Sequence, residues 1–210
     1  EIYTLSLHDA LPIYELVRKD NVYTRRLMRS YARNQGGQVS IDTIVSDLNE
    51  NEGPDPCNKT AATYIKALKK IFVIEDMEAW NPNLRSKTAI RTSDTRYYAD
   101  SSIAAAALGI GPDDLFNDLE TMGLLFETMA VRDLRVYADA IDASVYHYRD
   151  KTGLECDAVI HRRNGSYGLV EIKLGGDSLV EEGCASLKKL AGKIDTDKMS
   201  KKFVDRKSVV

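Results

Sequence analysis

The stretch LECDAVIHRRNGSYGLVEIKL, Leu154 to Leu174, decides the fold. Two short runs flank a turn signal at Asn164-Gly165. The first run carries Asp157 among Ala158, Val159 and Ile160. The second carries Glu171 and Lys173 among Leu169, Val170, Ile172 and Leu174. Charged side chains are rarely buried in strands without partners or a metal. Strand alternation puts Glu171 and Lys173 on one face and Ile172 on the other. A two-residue Asn-Gly turn would set Asp157 opposite Ile172. A three-residue loop, Arg163-Asn164-Gly165, would set it opposite Glu171, and Gly165 stands where that loop type wants a left-handed glycine. In this register two carboxylates and one ammonium converge. Paired carboxylates hold Mg²⁺ through hard oxygen ligands, and a nearby lysine can position or deprotonate a water.

The spacing, Asp157, thirteen residues, then Glu171-Ile172-Lys173, resembles the metal-nuclease signature PD-(D/E)xK. D…ExK arises by chance in many charged chains, and its place on a hairpin between two helical segments adds specificity. The competing reading is a solvated strand pair with Asp, Glu and Lys on its wet face. Both stay open at this point.

The chain ends read differently from its middle. Residues 1–13, EIYTLSLHDALPI, and 205–210, DRKSVV, resemble a short-read sequencing adapter translated from its two strands. CAC GAC GCT CTT CCG ATC spells His8 to Ile13, and its reverse complement, GAT CGG AAG AGC GTC GTG, spells Asp205 to Val210. The ends are therefore set aside as adapter-derived. On this reading the chain is a truncated, metagenomic-type fragment with neither natural terminus.

The chain has 29 Lys and Arg against 32 Asp and Glu, a net charge of −3. Setting the ends aside removes Arg206 and Lys207 against Glu1, Asp9 and Asp205, leaving −2. That excludes a polycationic binder, so any nucleic-acid contact must come from local patches. The length suits one large or two small domains, and a hydrophobic fraction of 43% supports a packed core. Cys57, Cys156 and Cys184 form no CxxC pair and read as reduced thiols, which with no signal peptide and no apolar span predicts a cytoplasmic chain without a membrane partner. No phosphate-binding loop G-x-x-x-x-G-K-[ST] is present.

Residues 14–98 read as a winged-helix-like domain. Tyr23, Leu27, Met28 and Tyr31 form one helical face, stopped by Gly36-Gly37. Ser40 caps a second helix, and Asn58 is expected to cap a third. Phe72 to Met77 and Thr88 to Tyr98 are expected as a two-stranded ribbon. Third helices of such units often bind DNA, and here that helix offers Lys59, Lys66, Lys69 and Lys70. The bland reading is a solvated lysine face, favoured by the neighbouring acids Glu75, Asp76 and Glu78.

Residues 99–204 read as helix, three strands, helix, with a last strand cut off. One long helix is expected from Pro112 to about Tyr137, with Leu115, Leu119, Met122, Phe126, Ala130, Val131 and Leu134 as its buried stripe. Glu127 is the only charge between Met122 and Val131. It points either to water, the usual case, or into the site of the hairpin. His147 and His161 read as isolated surface or strand histidines.

Segments LMRSYARNQG (Leu27 to Gly36), NPNLRSKTAIRTSDTRYYADSSIAAAALG (Asn81 to Gly109), LFETMAVRDLRVYA (Leu125 to Ala138) and ECDAVIHRRNGSYGLVEIKLG (Glu155 to Gly175) together resemble the C-terminal part of prokaryotic AAA-type ATP-binding proteins. The resemblance spans nearly all of Val17 to Val204. It implies an upstream ATPase domain in cis, a winged helix, and a C-terminal domain of unknown function related to PD-(D/E)xK nucleases, a restriction-endonuclease-like α/β fold. It also implies that Asp157, Glu171 and Lys173 match the nuclease motif and that Glu127 matches a helix acid of a Mg²⁺ site. ATP would then act only through the upstream domain. Two readings follow: a Mg²⁺-dependent nuclease acting on DNA, or a non-catalytic DNA- or partner-binding regulatory module of the ATPase. A homo-oligomer is compatible with either.

Overall fold

Residue Asp20 opens the described part of the chain, and its carboxylate accepts the N–H groups of Val22 at 2.8 Å and Tyr23 at 3.2 Å. The computed structural model describes residues 20–54, 57–81 and 93–194 and the backbone of 202–204, so both adapter-like ends lie outside it. Helix α1, Asn21–Arg33, buries Tyr23, Leu27 and Tyr31 as its spacing predicts. Helix α2, Ile41–Asn51, starts from Ser40, which accepts the Thr43 N–H at 3.1 Å. Helix α3, Asn58–Lys70, departs from expectation at its start. Asn58 is already helical, Cys57 holds the cap position without a side-chain cap bond, and the Asn58 amide donates to Asp42 instead.

The three helices close on Leu27, Tyr31, Ile44, Leu48, Ile65 and Leu68, joined by Ala104 of α4, Ser101–Leu108. The expected ribbon is reduced. Residues 82–92 lie outside the described residues, and the remainder meets only at two isolated antiparallel bridges, Ile74–Tyr98 and Met77–Thr95.

The expected long helix is two. Helix α5, Pro112–Asn117, ends at Asp118, and α6 runs Leu119–Asp139. Asp118 leaves the helical region (φ −130°, ψ 82°) and its carboxylate takes the Thr121 N–H at 3.1 Å. A short acidic side chain that can bond nearby backbone favours such a restart. The buried stripe therefore begins late: Leu119 is 67% exposed, while Leu125, Thr128, Val131 and Ala138 are buried.

Strands β1, Ala143–Arg149, β2, Glu155–Arg162, and β3, Tyr167–Val170, form an antiparallel sheet in that order. Helix α7, Asp177–Ile194, follows. The expected three-stranded sheet gains a fourth strand, β4, Lys202–Val204, parallel to β3. The α7 crossover makes this geometry available, because a parallel neighbour needs a long return connection. One sheet face packs Val159, Tyr167 and Leu169 against Leu187, Leu190 and Ile194 of α7. On the other side Ile172 joins Met77, Tyr97 and Val131 of α6. The chain is thus an α/β structure whose sheet lies between α6 and α7.

The helical half is tied to this sheet by its backbone. The Trp80 N–H donates to the His147 carbonyl at 2.6 Å, and the His147 N–H donates to Glu78 at 3.0 Å. The His147 ring is buried between the Gln38 amide and the Ser93 carbonyl, both at 3.0 Å, so of the two expected readings it is the strand histidine and not a surface one. Burial holds its pKa below the ordinary histidine value.

Candidate functional site

The hairpin register runs Ala158–Val170, Val159–Leu169, Ile160–Gly168 and His161–Tyr167. The loop between Arg162 and Ser166 is the three-residue type, with Gly165 at φ 84°. One residue further, the register sets Asp157 opposite Glu171. On its other side β2 carries a bulge: Tyr146 pairs with Val159 and Tyr148 with Cys156, so Asp157 and Ala158 together oppose His147. Bulges redirect side chains at such places.

The β3 ladder stops at Val170. There the Asp157 Oδ2 takes the Ile172 N–H at 2.7 Å. Lys173 Nζ lies 2.9 Å from Glu171 Oε1 and 3.6 Å from Asp157 Oδ2. Glu171 is 8% exposed at its side chain, and its Oε2 is buried without a hydrogen-bond partner. Glu127 of α6 joins them and does not face open water: its carboxylate accepts the Tyr97 hydroxyl, and it feels the charges of Asp157, Lys173 and Glu171.

The electrostatics follow from burial and crowding. Burial, then the neighbouring Asp157 charge, push both Glu127 and Glu171 from 4.5 up to about 7. Burial also raises Asp157, against the opposing pull of Lys173 and the Ile172 N–H. Burial disfavours the Lys173 ammonium, but Asp157, Glu171 and Glu127 outweigh it and carry its pKa up to about 12. The three carboxyls around one ammonium are therefore coupled, each raised by burial and by its neighbours, with Glu127 and Glu171 at about 7.

Two contributors have no signal in the motif. Tyr97 is 1% exposed and comes from the helical half. Gly183 of α7 faces the motif, and a Cβ there would lie 3.1 Å from Glu171 Cγ and 3.8 Å from Lys173 Cγ. Tyr97 reads in sequence as one more strand aromatic. Gly183 reads as a helix glycine, and its cost of about 1 kcal/mol relative to Ala was the one available hint.

The donor set suits a hard cation. Two oxygen donors face each other across the hairpin, and Glu171 keeps a buried oxygen without a partner. Mg²⁺ is commonly held by one or two carboxylates, with waters and phosphate completing its shell. Among the described residues no three His, Cys, Asp or Glu side chains are arranged to hold a metal. The fit therefore rests on Asp157 and Glu171, with Glu127 engaged by Tyr97.

On α3, Lys59, Lys66 and Lys70 are exposed, while Lys69 pairs with the buried Asp76 at 2.7 Å. The lysines stand on one helix, Asn58–Lys70. Among the described residues no helix is long and apolar enough to cross a membrane.

Residues 11–114 match the model of a domain of unknown function, DUF8612. Residues 122–208 match a second domain of unknown function, DUF4143, which is found in AAA-ATPase-associated proteins. The two matches include Leu11 to Ile13 and Asp205 to Ser208 at their outer ends. No curated protein and no solved structure matches the chain.

Proposed function

We propose that the hairpin is a phosphodiester-cleaving site of the PD-(D/E)xK type, in a chain that works beside an AAA-type ATPase. The observation that carries this reading is the register that faces Asp157 with Glu171 and brings Lys173 to both. Asp157 and Glu171 would hold Mg²⁺. When bound, the ion would polarise a phosphoryl oxygen and acidify a water. Lys173, an ammonium at neutral pH, would donate to a phosphate oxygen or orient the attacking water. Glu127, held by Tyr97, tunes the charge of the group. The helical half would act as a winged-helix-like unit, with Lys59, Lys66 and Lys70 touching DNA phosphates and Lys69 weakened by Asp76.

A second reading has its own observation. The Lys173 ammonium already bridges both carboxylates, which offsets part of their charge without any metal. A partner-binding or regulatory module of the ATPase needs no more than that.

The deciding assay is nicking of plasmid and linear DNA with Mg²⁺ or Mn²⁺, run beside calorimetric Mn²⁺ titration and circular dichroism. Lys173→Ala should abolish cleavage and keep fold and metal binding, because lysine is no ligand. Asp157→Asn should weaken metal binding itself. Metal binding without cleavage by the intact chain, with ATP and the ATPase domain supplied, would favour the regulatory reading. Absence of metal binding would reject the nuclease reading.

A further inference from the structure

A cleft of about 320 Å³ lies away from the hairpin, lined by Glu75, Asp76, Glu78, Arg135, Asp139 and the start of β1. It exists because β1 and the extended segment ending in Trp80 meet and then part. At His147 the segment ending in Trp80 runs parallel to β1, joined by the His147–Glu78 and Trp80–His147 bonds. Backbone groups alternate between the two edges of a strand. Since His147 points to this edge, so do the N–H and C=O of Val145. Since Glu75 and Met77 bond to Tyr97 and Thr95 on their far side, the Asp76 carbonyl and Glu78 N–H also turn toward the cleft. A continued parallel ladder would pair these groups with one another. Instead Ala79–His147 is the only bridge between the two segments among the described residues, and the slot is edged by strand backbone without partners there.

The side chains set its charge. Glu75 is paired with Arg135, whose guanidinium also donates to the Glu75 carbonyl at 3.0 Å. Asp76 is neutralised from behind by Lys69 and Arg96. Glu78 and Asp139 are exposed and have no ion pair among the described residues, so the slot is net acidic. Open strand edges recruit extended chains.

We infer that this slot receives an extended cationic peptide segment of a partner protein, which adds to the β1 edge at Val145 and sets Lys or Arg side chains against Glu78 and Asp139. The 210-residue chain is titrated with a labelled peptide of alternating Lys and Val, its Glu–Val counterpart, and a Lys–Val peptide with N-methylated amides. Binding by the Lys–Val peptide alone, with new amide-exchange protection at Val145, is the expected result. Glu78→Lys with Asp139→Lys should weaken it about tenfold, two exposed pairs being reversed. Lack of Lys–Val binding, equal binding of the N-methylated or Glu–Val peptide, or protection elsewhere overturns the inference. The N-methyl and Glu–Val arms leave the protein unaltered, so a misfolded variant does not affect them.

Discussion

Raising the pH should weaken this fold, and Glu127→Gln should relieve part of the loss. Glu127 and Glu171 have pKa values raised from 4.5 to about 7, burial first and Asp157 second. A raised carboxyl holds its proton more tightly in the folded chain than in the unfolded one. Between pH 4.5 and 7 the folded state therefore binds more protons, and stability falls as pH rises. At about 1.4 kcal/mol per pH unit, one such carboxyl accounts for roughly 3 kcal/mol across the interval. Glutamine keeps an acceptor for the Tyr97 hydroxyl and never ionises, so Glu127→Gln should gain about 2 to 3 kcal/mol at pH 8 and little at pH 4.5. Urea unfolding at pH 4.5, 6, 7 and 8 reads both slopes. Mg²⁺ added at pH 8 should restore stability as the carboxylates gain a cation. A Glu127→Gln advantage that does not grow from pH 4.5 to 8 would refute the crowded-carboxyl account, because that difference cancels the opposite slope of the buried His147.

Tyr97→Phe removes the donor that favours the Glu127 carboxylate, so its cost, about 1 to 3 kcal/mol, should show at pH 8 and shrink at pH 5 in the same unfolding series. Gly183→Val pushes into Glu171 Cγ and should cost about 1 to 3 kcal/mol, whereas Gly183→Ala should be near neutral because its helix gain offsets the contact; thermal midpoints separate the two. Gly165→Ala meets no neighbour within 4 Å but must adopt φ 84°, so about 1 kcal/mol of stability should be lost with the metal titration unchanged.

The hairpin was legible because two local rules agree there. Period-two alternation fixes the faces, and the position of Gly165 selects the loop, so the pairing of Asp157 with Glu171 follows without tertiary knowledge. The α1 and α2 faces were legible for the same reason, through helical spacing and a serine or aspartate cap. Asp118 was not, because an acid inside a helical run reads as an ordinary surface residue until the backbone turns there. Three residues at β4 carry no periodic signal. Glu127 stood out as a lone charge in an apolar run, but its partner Tyr97 is thirty residues distant, and only tertiary packing brings the hydroxyl to the carboxylate.

The hydroxyl of Tyr97 belongs to the stretch matched by the first domain model, and the acid it meets belongs to the stretch matched by the second. That has a consequence for inheritance. If recombination moved the second stretch alone into a new gene, the acid would arrive without its hydroxyl, beside whatever surface the new neighbour offered. Its protonation near neutrality would change although every residue of the motif was intact. Chains that carry the motif with different neighbours should therefore differ in pH response before they differ in motif.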